Sequence, residues 1–118
     1  TANGERVRSK SEIIIADHLR RYGVVYKYEK PLELTVHGRR VTFYPDFTDM
    51  NSRTGRIYYL EHFGMMDNED YYNAVLRKLD AFEMNQLLIG RDVLLLHESS
   101  SAPLNTRVLD CYIQEYLV

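Results

Sequence analysis

Four charged residues stand where the surrounding pattern asks for apolar ones. Asp46 follows Pro45 inside the aromatic stretch "FYPDF", and Glu61 ends the apolar run "IYYL". Lys78 shares a helical stripe with Tyr71, Val75 and Phe82, and Glu12 lies beside Ile15, Ala16 and Leu19. At about 100° per residue, Lys78 falls within roughly 40° of its stripe partners and Glu12 within roughly 60° of its own. Taken singly, each has an ordinary explanation. Ser9 and Glu12 have the spacing of a capping box, Pro45 and Asp46 suit a turn, Glu61 suits a solvated strand end, and a lysine can reach from the edge of a stripe to water. Taken together they describe two carboxylates on neighbouring strands, a lysine on the next helix and a glutamate on the first. Carboxylates held close raise one another's pKa unless a cation stands between them. A hard divalent cation answers that need, since Mg²⁺ takes one or two protein carboxylates plus waters and phosphate oxygens. The neighbouring His62 points away from Glu61, because strand side chains alternate. It reads as a packing or hydrogen-bonding histidine rather than a general base.

The elements that must position these residues follow from the pattern. "TANGERVR" is polar and loose at its start, over about residues 1–7. "SKSEIIIADHLRRYG" predicts a helix that begins at a Ser9 cap and stops at Gly23. Between residues 24 and 50, Val25, Leu32, Leu34, Val36, Val41 and Phe43 recur with strand-like alternation, broken at Pro31 and at His37-Gly38. That predicts two or three antiparallel strands. "NSRTG" is a turn, "RIYYLEHF" a strand, and "NEDYYNAVLRKLDAFEMN" a helix with an acidic first turn. "RDVLLLHE" reads as a strand buried on both faces, and "PLNTRVLDCYIQEYLV" as a final helix with Pro103 near its start. The predicted order is α-β-β-β-α-β-α. The strand-helix-strand unit should pair in parallel, giving a mixed sheet flanked by helices in one α/β domain over residues 1–118.

Composition narrows the function classes. The chain has 118 residues, 45% of them hydrophobic and 27% charged, with net charge -2, as expected of a single globular domain. That charge argues against a large basic face but leaves room for a local one. Tyrosine supplies ten aromatics and phenylalanine four; tyrosine's polar tip suits the rim of a cleft. Cys111 is alone, so no disulfide forms within the chain, and no CxxC or paired-histidine spacing suggests zinc. A reducing, cytoplasmic setting fits. No apolar run approaches the roughly 20 residues of a membrane span. Cys111 reads as a small buried hydrophobe, Met65 and Met66 as packing residues. His18, His37 and His97 are scattered.

At the charged residues the sequence resembles the PD-(D/E)XK nuclease superfamily, with its restriction-endonuclease-like fold. Pro45 and Asp46 of "YPDF" stand at the Pro-Asp of the motif, and Glu61 of "EHF" at its second acid. Phe63 stands in the lysine slot, but some members carry that lysine on the following helix, and Lys78 fits that variant. "RSKSE", "YEKPL", "YPDFT" and "EHFGMMD" extend the likeness to a bacterial branch often attached to DNA helicases, over about residues 8–96. The resemblance implies Mg²⁺- or Mn²⁺-dependent hydrolysis of DNA phosphodiesters, in repair, recombination or restriction. It implies Asp46, Glu61 and the His62 backbone carbonyl as metal ligands, Lys78 beside the attacking water, and Glu12 as a further acid. Tyr71 would line the cleft. Arg6, Arg8 and Lys10 read equally as contacts to DNA phosphates and as solvated charges. A fused or associated helicase-type module and a homodimer are the implied partners, with no membrane. The alternatives are a degenerate domain of the same fold that binds DNA or a protein without cutting, and a structural module whose four charges lie exposed and apart.

Overall fold

A computed structural model describes residues 9–118. Arg6 and Arg8 lie outside the described residues. Helix α1 spans Lys10–Arg21, with Ser9 as its cap: the Ser9 hydroxyl accepts from the Glu12 amide. Gly23, at φ +73°, ends it, with its N–H returning to the Arg20 carbonyl. The strands are β1 (Val25–Tyr28), β2 (Leu32–Val36), β3 (Arg39–Phe43), β4 (Phe47–Met50) and β5 (Ile57–Phe63). They are followed by α2 (Glu69–Met84), β6 (Val93–His97) and α3 (Thr106–Tyr112), which runs on into a π-helical turn, Ile113–Leu117.

The main sheet has the order β1-β4-β5-β6. β1 and β5 each pair antiparallel with β4, whereas β5 pairs with β6 in parallel, as the strand-helix-strand pattern requires. The mixed α/β architecture is therefore as expected, but the strand count is not. Residues 24–50 hold four strands rather than two or three. Glu29, at φ +51°, separates β1 from β2, and Tyr44-Pro45 separates β3 from β4. β2 and β3 form a separate two-stranded sheet, joined by His37 and Gly38, both at positive φ, as a two-residue hairpin turn of type I′ demands. Asn85, at the end of α2, clasps this hairpin: its side chain accepts from the Thr35 N–H at 2.9 Å and donates to the Thr35 carbonyl at 3.0 Å.

Alternation along the strands divides the core in two. Tyr26, Phe47, Tyr58, Leu60, Leu94 and Leu96 pack with Ile15, Ala16 and Leu19 of α1 and with Leu109, Ile113 and Leu117. The other face carries Tyr59 and Val93, covered by Ala81 and Phe82 of α2 and by Leu34 of the hairpin. In β1 the inward residue is Tyr26 and not Val25, which is exposed at the sheet edge. The last helix begins after Asn105 rather than near Pro103, because the Asn105 side chain caps the Arg107 and Val108 amides. Cys111 is exposed, contrary to its reading as a buried hydrophobe, since Leu109 and Ile113 take the inward positions. Met65 is likewise exposed. Among the described residues, no helix is long and apolar enough to cross a membrane.

Candidate active site

The site grows from the last turn of the β5 alternation. Tyr59, Glu61 and Phe63 project toward α2, while Tyr58, Leu60 and His62 project toward α1. Extending the β4–β5 register by one residue beyond Phe47↔Leu60 sets Asp46 opposite Glu61, on the same face. The two strands interlock there. The Asp46 N–H donates to Glu61 Oε2 at 3.3 Å, and the His62 N–H donates to Asp46 Oδ2 at 2.8 Å. Glu61 is fully buried.

Lys78 answers it from α2. Its Nζ lies 2.6 Å from Glu61 Oε1 and donates to Oε2 at 3.1 Å. The contact to Oε1 is the shorter of the two, so one ammonium engages both oxygens of Glu61. Tyr71, Val75, Lys78 and Phe82 do share one face of α2, with Val75 and Phe82 buried. One ammonium thus serves two acids. Burial, then the neighbouring Asp46, push the Glu61 carboxyl up to about 8 against the pull of Lys78. Burial also raises Asp46, against the His62 N–H and Lys78, which lower it.

The remaining expected residues arrange around this pair. Tyr71 accepts a 3.0 Å hydrogen bond from the Gly64 N–H. With Asp46, His62, Phe63, Ala74, Val75 and Lys78 it lines a cleft of about 200 Å³. Glu12 approaches from the α1 side: its Oε2 accepts from the Tyr28 hydroxyl at 2.7 Å, and its charge raises the carboxyl of Asp46. Burial first, then this bond to Glu12, hold the Tyr28 hydroxyl above its ordinary range. Lys10 is exposed at the start of α1 and does not line the cleft. The His62 ring turns away from Glu61, as alternation requires, and donates from Nε2 to Glu98 Oε1 at 2.8 Å.

The donor set suits a hard divalent ion in its chemistry, since its side-chain donors are carboxylate oxygens. Asp46, just ahead of β4, and Glu61 on β5 offer carboxylate oxygens side by side, tied by the Asp46 N–H to Glu61 Oε2. The His62 backbone N–H faces Asp46, so its carbonyl shares that edge of the strand. Glu12 does not complete a trio: among the described residues no three His, Cys, Asp or Glu gather closely enough to hold a metal. Pattern reading overlooked Tyr28 and Glu98. Glu98 had a signal, since it follows a strand parallel to β5 at its carboxyl end, where open sheets place their sites.

No model of a known protein family matches the chain. It is 30% identical, over 123 aligned residues, to an uncharacterized protein of Methanocaldococcus jannaschii. That match takes in 93% of this chain and 10% of the relative, so the chain spans about a tenth of the relative's length.

Proposed function

We propose that this chain is a metal-dependent nuclease domain of the PD-(D/E)XK type that hydrolyses DNA phosphodiester bonds. The observation that carries the reading is the contact of Lys78 Nζ, at 2.6 Å, with a fully buried Glu61 beside Asp46, at the mouth of a cleft. Burying the Glu61 carboxyl beside the half-buried Asp46 costs several kcal/mol unless a cation such as Lys78 answers it. A structural module with four separated surface charges would show no such convergence.

Asp46, Glu61 and the His62 carbonyl are the groups to hold Mg²⁺ or Mn²⁺. When bound, the ion would polarise the scissile phosphate and lower the pKa of an attacking water. Lys78 reaches the same space from α2. Its ammonium would hold the water's oxygen against the phosphate and stabilise charge developing there. Tyr71 and Phe63 give the cleft an aromatic wall for a sugar or base. The His62 N–H fixes the Asp46 carboxylate from behind.

A second reading, a non-cutting domain of the same fold that binds DNA or a protein, draws on one observation: Lys78 already occupies both oxygens of Glu61. One experiment separates them. The protein is incubated with single-stranded and duplex DNA plus Mg²⁺ or Mn²⁺, alongside Asp46→Ala and Lys78→Ala. Cleavage that both substitutions abolish supports the nuclease. Binding without cleavage supports the second reading. Failure of the parent to bind manganese or any DNA overturns the first.

A further inference from the structure

Glu98 lies one residue past β6, on the side of the sheet away from Lys78, and is not among the residues lining the cleft. Its carboxylate nevertheless gathers three distant parts of the chain. Oε1 accepts from the Ser11 hydroxyl at 2.5 Å and from His62 Nε2 at 2.8 Å, while Oε2 accepts from the Leu104 N–H at 3.1 Å. An ionised carboxylate only accepts, so the His62 ring must carry its proton on Nε2. The Glu98 backbone is tied as well: its N–H donates to the Phe63 carbonyl at 2.8 Å, and its carbonyl accepts from Met66 N–H at 3.3 Å.

The partners of this carboxylate are placed tellingly. Ser11 immediately precedes Glu12. His62 immediately follows Glu61, and its N–H grips Asp46 Oδ2 at 2.8 Å. The space for the His62 ring is closely cut: a Cβ at Gly64 would come within 3.3 Å of His62 Cε1 and 3.9 Å of Glu98 Oε1. Gly64 is not at positive φ, so the ring, not the backbone angle, is what a side chain there would disturb.

We propose that Glu98 is the positioning residue of this site, setting the placement of Asp46 and Glu12 from the opposite face of the sheet through His62 and Ser11. It touches no reacting group; it acts through the His62 backbone and the first turn of α1. The catalytic consequence rests on the nuclease reading, but the placement itself does not.

The test compares the parent with Glu98→Ala, Glu98→Gln and Ser11→Ala. It follows the His62 amide by NMR and hydrogen exchange, and cleavage by kcat and KM. Glu98→Ala should shift the His62 amide resonance and speed its exchange about tenfold or more, with neighbouring core amides such as Leu60 unchanged. It should lower kcat by about tenfold to a hundredfold and leave KM within about twofold. Glu98→Gln can keep its oxygen at the Oε1 position, facing Ser11 and His62, and lose only the Leu104 bond. It should therefore restore both readouts to within about threefold, as rescue by the nearest isostere. Ser11→Ala should give a smaller change of the same kind and serves if Glu98→Ala does not fold. A folded Glu98→Ala or Ser11→Ala with the parent's His62 amide overturns the proposal. So does a Glu98→Gln that behaves like the alanine variant. If the parent cuts no DNA, the nuclease reading fails alone, and the amide readout still decides the placement.

Discussion

Two fully buried acids stand in the same sheet, and they could hardly be treated more differently. Glu61 on β5 has Lys78 at 2.6 Å, Asp46 alongside and a cleft at hand. Asp49 on β4 faces the α1 side, flanked in register by Tyr26 and Tyr58, and neither of its oxygens has a hydrogen-bond partner. Burial alone raises its carboxyl well above the ordinary range. Among the described residues, Asp49 is thus an acid with nothing beside it to answer a charge, whereas Glu61 is held in a charge balance between an acid and an ammonium. Burial by itself does not mark a site. Compensation from several elements, together with access, does.

The sharpest way to break this contrast is activity. Asp46→Asn and Lys78→Met should each lower DNA cleavage by about a thousandfold or more, since each removes a group meant for the reacting centre. Asp49→Asn should stay within about threefold of the parent. A cleavage assay with equal folded concentrations checks both, and equal losses at Asp46 and Asp49 would erase the distinction.

Stability should move in opposite directions at the two acids. Lys78→Met leaves Glu61 buried without its donor and should cost about 1–3 kcal/mol. Asp49→Val removes an unanswered polar group from an apolar setting and should stabilise by about 1–3 kcal/mol at pH 8. Urea unfolding reads both.

The pH dependence sharpens the comparison further. The unfolded chain releases the Asp49 proton near 3.8, while the folded chain keeps it to much higher pH. The folded state therefore binds more protons above that point, and stability falls as pH rises. Asp46 and Glu61 are raised too and add to the same slope. The urea midpoint should decline from pH 5 to pH 8 in the parent, and less steeply in Asp49→Asn.

The smallest expected effect is at Tyr28. Tyr28→Phe removes one hydrogen bond to Glu12. It should cost about 1 kcal/mol or less and lower cleavage only a few-fold, measured by thermal unfolding and initial rates.

The contrast also shows what a sequence can and cannot reveal. Asp46, Glu61 and Lys78 were legible because each interrupts a local apolar rhythm, and strand alternation together with helix periodicity fixes which way each points. Asp49 interrupts nothing visible: "FTDM" before "NSRTG" looks like a polar strand end. Its burial is tertiary. Leu117 and Ile113 of the π-helical turn close that side of the core, and Asn51 donates to the Tyr116 carbonyl at 2.9 Å. Glu98 was half legible, from its place at the end of a parallel strand, but its partner Ser11 is 87 residues away, so what it ties together is tertiary. The hairpin was half legible. His37-Gly38 marked its turn, but nothing local said that its ladder would stand apart from the main sheet.

That separation has a practical side. The β2–β3 ladder is closed within itself, and among the described residues apolar packing and the Asn85 clasp join it to the body. The β4–β5 ladder beside Asp46 and Glu61 would neither gain nor lose a rung if the loop at His37-Gly38 were lengthened. The tip is thus a natural insertion port, where a peptide tag or a foreign recognition segment can be spliced in, with Asn85 as the pivot that limits its swing.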